Sequence, residues 1–290
     1  MSNGGSGTDS LQAQLSELTV PPVVRDAVAD YYHRYESFYA EPWRDLDETK
    51  RLYETTDSEH RMSMFVLSYV YAVVSQRVAI DKAERHFRLF YDGMSLQDML
   101  ISEGNINGKY DWMASTLDHY GKDGMTRLAD DLADGRVEQV VREMDEEAAF
   151  KGISEIKAPF VASQLGYTSQ MCIDANMQSF LGLDFSGITV SGEQVDKVCA
   201  SVMDLFPELA SEVGEAYHLQ WILFNFERVN DAMWEPDTND LTLTITGDLA
   251  VEEIEGREPE QHDDWFRAVL DDRERVVDRV DALFAEARGG

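Results

Sequence analysis

Cysteine is nearly absent from this chain, with Cys172 and Cys199 the only two in 290 residues. Two thiols cannot build a four-thiolate metal site, and their surroundings do not describe a secreted disulfide scaffold, so the expected compartment is a reducing cytoplasm. Long apolar runs are missing as well. No uncharged apolar stretch reaches the roughly 18 residues that a membrane span requires. The opening MSNGGSGTDS lacks the basic and apolar regions of a signal peptide, and residues 1–20 are expected to be a flexible tail. Lysine is scarce, at seven against eighteen arginines, and basic residues in total number 25 against 56 acidic ones.

The resulting net charge of -31 resembles the surface of proteins from salt-loving organisms, where carboxylates keep the chain hydrated. At ordinary ionic strength it argues against a nucleic-acid partner, because phosphate binding normally shows as a basic face. Concentrated salt weakens that argument. The Debye length falls to about 3 Å at 1 M, and global repulsion is screened. A DNA-binding protein working there relies on backbone amides, helix N-termini and inserted side chains.

What the chain has is helical periodicity. With 43% hydrophobic residues it is long enough to bury a real core. Following Pro21 and Pro22, the positions Val24, Val28, Tyr31, Tyr32 and Tyr35 recur at helical spacing and predict an amphipathic helix. The segment 59–74 is apolar on most of its circumference from Met62 onward, as in a helix enclosed by other helices. Ala79, Ala83, Phe87 and Phe90 share one face of the next helix. Glycines at 93, 104–108 and 121–124 punctuate elements of roughly 10–15 residues. Further helices are expected at 175–182, 192–204, 208–230 and 262–287. One stretch alternates with period two, LTLTIT at 241–246. The predicted fold class is all-α.

Chemistry concentrates between 151 and 183. Pro159 is suited to a first helical turn and Gly166 to a helix stop, which places Lys157 just outside a helix N-terminus. Partial positive charge there disfavours an ammonium ion and favours an amine that can act as a nucleophile. Asp174 stands directly before AxMxxFL and reads as an N-cap. Two readings of each residue stay open on the residues alone: a helix-boundary residue only, or a reactive group.

Three segments resemble the helix–hairpin–helix DNA glycosylase superfamily, which includes endonuclease III, the adenine glycosylase that acts on mispairs, and the 8-oxoguanine glycosylases. They are YAVVSQRVAIDKAERHFRLF at 71–90, KGISEIKAPFVASQLGY at 151–167 and CIDANM at 172–177. Their order supports the likeness, with Gln76 lying 81 positions before Lys157 and Asp174 lying 17 after it.

The resemblance implies two helical subdomains flanking a DNA cleft. A helical-barrel domain with the helix–hairpin–helix would cover 60–185, and residues 21–59 and 186–290 would form the second domain. It implies catalytic roles for Asp174 and Lys157, insertion of Gln76 into the duplex, and backbone contacts to DNA from Gly152, Ser154 and Ile156, with a monovalent cation at the hairpin. The loop has one glycine where the family usually has Gly-x-Gly. The cysteines that hold an iron–sulfur cluster in some members are absent, so no cluster and no other cofactor is expected.

The partner implied is double-stranded DNA carrying a damaged or mispaired base, with 8-oxoguanine the first substrate to test and a monomer the expected state. His218, Gln220, Trp221 and Phe224 are candidates for a base pocket, since aromatics and amides read flipped bases. The run Glu258, Glu260, His262, Asp263 and Asp264 reads as a solvated charge run and not as a metal site. Trp112 and Trp234 read as packing residues. Two alternatives remain: a non-catalytic helix–hairpin–helix DNA-binding protein, and a helical scaffold that binds protein.

Overall fold

The computed structural model describes residues 6–75, 80–102, 108–147, 149–153, 157–183, 192–230 and 269–289. Every regular element among them is helical. In chain order these are α1 (Ser6–Glu17), α2 (Pro22–Thr55), α3 (Ser58–Val74), α4 (Ile80–Tyr91), α5 (Leu96–Ser102), α6 (Lys109–Ala133) and α7 (Val137–Glu146). There follow α8 (Ala158–Ser163), α9 (Ala175–Leu181), α10 (Gly192–Leu205), α11 (Pro207–Val213), α12 (Ala216–Asn230) and α13 (Arg273–Gly289). The expected strand at 241–246 lies outside the described residues.

The chain forms two compact units, one of residues 1–43 and 168–261, the other of residues 44–167 and 262–290. The sequence boundaries had been drawn at 59/60 and 185/186. Within residues 1–20, expected to be a flexible tail, Ser6–Glu17 form α1. Leu11, Leu15 and Leu18 recur at i, i+4 and i+7, and α1 buries Leu11 beneath that stripe.

The second unit is built around α3, whose residues from Met62 to Val74 are all buried. Helices α4, α6, α8 and α13 pack on it, which explains why this segment is apolar nearly all round. Asp57 caps its start by accepting the His60 N–H at 3.1 Å, and Arg273 donates to the other carboxylate oxygen at 2.9 Å. The buried His60 bridges Thr56 Oγ1 and the Leu270 carbonyl, each at 2.9 Å. At the far end, the buried Lys109 ammonium donates to the Val74 carbonyl at 2.9 Å, where the helix dipole favours a cation.

Helix α6 is broken at Gly121, where φ is 60° and ψ is -177°. The glycines at 121–124 therefore interrupt the helix but do not end it. The first unit packs α12 against α9, α10 and α11. The stripe on the N-terminal half of α2 contributes Val24, Val28, Tyr31 and Tyr32 to this core. Phe226 meets the rings of Tyr31 and Phe180 edge-on, at 5.6 Å and 6.1 Å. The helix expected over 208–230 is two, because Gly214 adopts φ 76° between α11 and α12.

Candidate functional site

The order from α7 to α9 is helix, eleven-residue loop, short helix, extended strap, short helix. In the loop, Tyr69 Oη donates to the Lys151 carbonyl at 2.7 Å, and the Lys151 N–H donates to Thr116 Oγ1 at 2.9 Å. Burial pushes the Tyr69 phenol above its ordinary pKa, so it stays a proton donor there.

Gly152 has φ 76°, and a Cβ at that position would lie 3.2 Å from Trp112 Cε3 and from Val73 Cγ1. Conformation and packing both require this glycine, whether or not a phosphate approaches it. Trp112, read as a packing residue, is 37% exposed, with its ring lying against Gly152 and Gly108. The carbonyls of Ala149 and Lys151 face Thr116 and Tyr69. The monovalent cation expected at the hairpin involves residues 154–156, which lie outside the described residues. Gln76, Ser154 and Ile156 lie outside the described residues.

Helix α8 begins at Ala158 with Pro159 in its first turn, and Lys157 is its N-cap residue. The half-buried Lys157 folds back so that Nζ lies 4.8 Å from the centroid of the Phe160 ring. The helix ends in a Schellman motif. Tyr167 N–H donates to the Ala162 carbonyl at 3.1 Å and Gly166 N–H to that of Ser163 at 2.9 Å, with Gly166 at φ 85°. A buried Ser68 hydroxyl donates to the Val161 carbonyl at 2.9 Å and fastens α8 to α3.

Thr168 begins the strap, which belongs to the first unit together with Asp174. Among the described residues the strap has no ladder partner, and side chains take the Met171 and Cys172 amides. Met171 N–H donates to Cys199 Sγ at 3.4 Å, and Cys172 N–H donates to Gln220 Oε1 at 2.6 Å. Burial pushes the Cys199 thiol up to about 11, only partly offset by the Met171 amide, so it remains a thiol. Gln170 donates from Nε2 to Asp196 on α10 at 2.8 Å.

Asp174 is the N-cap of α9 in fact as well as in pattern. Its Oδ1 accepts the Met177 N–H at 3.0 Å, and its carbonyl accepts the Gln178 N–H at 2.8 Å. The side chain is half-buried. Lys157 belongs to the other unit.

The four residues read as a base pocket take different parts in the first unit. Trp221 and Phe224 stack on one another at 5.1 Å and 10°, with Tyr217 behind Trp221 at 6.5 Å. His218 instead stacks on Trp43 of α2 at 4.2 Å and 14°. Gln220 turns to the strap. Sequence reading missed Gln170, Asp196 and Cys199, whose partners lie 26 to 28 positions away and leave no local signal.

No described helix is long and apolar enough to cross a membrane. Among the described residues no group of three or more His, Cys, Asp or Glu is placed to hold a metal ion. The run from Glu258 to Asp264 and Trp234 lie outside them. Set against protein-family models, curated proteins and solved structures, the chain has no match.

Proposed function

We propose that the protein is a DNA N-glycosylase that removes a damaged or mispaired base, with Asp174 as the catalytic carboxylate. One observation carries the reading. Asp174 is held as an N-cap at the head of α9, half-buried, immediately after the strap that follows a helix, loop and short helix closed by Gly166. That is the element order the resemblance calls for.

In the reaction, the target nucleotide leaves the stack at a cost of a few kcal/mol. The C1′–N bond breaks with its electron pair departing on the base, and positive charge develops on the sugar. An aspartate fixed by backbone donors stabilises that charge without reorganising. Water adds at C1′ in the hydrolytic version. In the lyase version the Lys157 amine adds instead, forms a Schiff base, and β-elimination cuts the strand. The packing of Lys157 on Phe160 favours the hydrolytic version.

Single-turnover base release from duplexes carrying 8-oxoguanine, uracil, a thymine mispair, an adenine mispair or an alkylated base, in molar salt, tests the proposal. Asp174→Asn is expected to lower release by about 100-fold or more with DNA affinity nearly unchanged. Unchanged turnover removes Asp174 from the chemistry. Borohydride trapping on abasic DNA decides the lysine: an adduct lost in Lys157→Gln assigns the lyase step, and an adduct that persists in that variant excludes Lys157.

A further inference from the structure

Cys172 is held through both of its backbone groups. Its N–H donates to Gln220 Oε1 at 2.6 Å, and its carbonyl accepts the Asp174 N–H at 2.9 Å. Asp174 in turn accepts the Met177 N–H through its carboxylate. A continuous series of bonds therefore runs from Gln220 on α12, through the two peptide groups that flank the Cys172 Cα, to the residue at the head of α9. Gln220 and Cys172 are 4% and 2% exposed, so water cannot replace the amide oxygen. Among the described residues no strand lies beside the strap.

We propose that Gln220 is a positioning residue for Asp174, acting through the Cys172 backbone, and not a reader of the flipped base. The inference rests on the reading of Asp174 as the catalytic carboxylate. With Oε1 accepting from Cys172 inside the core, the orientation of the amide is set by the strap. Removing that oxygen takes the Gln220 acceptor away from a buried N–H, and the strap shifts to recover the lost bond. The Asp174 carboxylate moves with it. A displacement near 1 Å is enough to cost on the order of 100-fold in rate.

Gln220→Met keeps the volume and removes the acceptor, whereas Gln220→Glu keeps an oxygen at the same reach. The expected result is a single-turnover rate about 10- to 100-fold lower for Gln220→Met, with the dissociation constant for damaged duplex within about twofold and most of the rate recovered in Gln220→Glu. Amide exchange of the free protein should show Cys172, Asp174 and Met177 less protected in Gln220→Met and near wild type in Gln220→Glu. A base reader would instead lose affinity or change substrate preference with those amides undisturbed, and that result overturns the proposal.

So does a full rate in Gln220→Met when Asp174→Asn is inactive. If Asp174→Asn itself keeps full activity, the glycosylase assignment of Asp174 fails by its own test. The exchange data then still judge the structural link, and unchanged protection at Met177 in Gln220→Met refutes it.

Discussion

Gly166 carries two demands at once. Its φ of 85° lies where a side chain is strained, and an added Cβ would come within 2.6 Å of Lys50 Cβ and closer still to the Leu46 carbonyl oxygen. Neither backbone can retreat without opening the Schellman turn that ends α8. Gly135 has a similar φ of 81° with nothing within 4 Å of the same added atom. Gly135→Ala is therefore expected to cost about 1 kcal/mol, from conformation alone. Gly166→Ala is expected to cost about 3 kcal/mol, because overpacking adds to the strain. Urea unfolding of the two variants side by side measures the difference. Equal losses would mean that the contact with α2 relaxes freely. Gly166 and Asp174 were both legible in the sequence, since a helix stop and an N-cap are written in adjacent residues. Gln220 was legible only as a polar residue on an aromatic helix, because its partner lies 48 positions away.

At the scale of elements, α2 shows what local pattern misses. The apolar stripe from Val24 to Tyr35 announces the start of this helix, which runs on to Thr55 with Pro42 inside it. A proline inside a helix removes one N–H and crowds the carbonyl four residues earlier. The helix also bends at Tyr35, where φ is -110° and ψ is 17°. The far end is secured from outside. Arg61 donates to the carbonyls of Tyr53, Glu54 and Thr56 and pairs with Asp130 at 2.7 Å. One guanidinium thus satisfies three acceptors at a helix terminus and ties α2 and α3 to α6. Arg61→Met should destabilise the protein by about 2–3 kcal/mol, seen as a lower urea midpoint with an unchanged m-value. A loss below about 0.5 kcal/mol would show that the carbonyls find water instead. Helices such as α3, whose apolar circumference announces burial on all sides, needed no such partner to be read.

The charge of the whole molecule, -31, sets the salt dependence that the proposed DNA binding would show. Two salt effects oppose one another. Screening removes the global repulsion between protein and phosphates as the Debye length falls from about 10 Å at 0.1 M to about 3 Å at 1 M. Counterion release weakens binding as salt rises, with a log–log slope near −0.9 for each phosphate neutralised. A basic DNA-binding protein feels mainly the second effect, and making 6–10 phosphate contacts it loses about 10³–10⁵ in affinity between 50 and 200 mM salt. With only seven lysines in the chain, Lys109 of which is buried against Val74, this protein has few ammonium groups to offer phosphates. Affinity for a damaged duplex is expected to be no lower at 0.5 M potassium chloride than at 0.05 M, and to fall above that with a log–log slope no steeper than about −2, corresponding to roughly two phosphate contacts. Fluorescence anisotropy across that range measures it. A monotonic fall with a slope beyond about −5 would mean that a basic surface dominates binding, and that positioning by backbone amides and inserted side chains is not how this acidic chain holds its substrate.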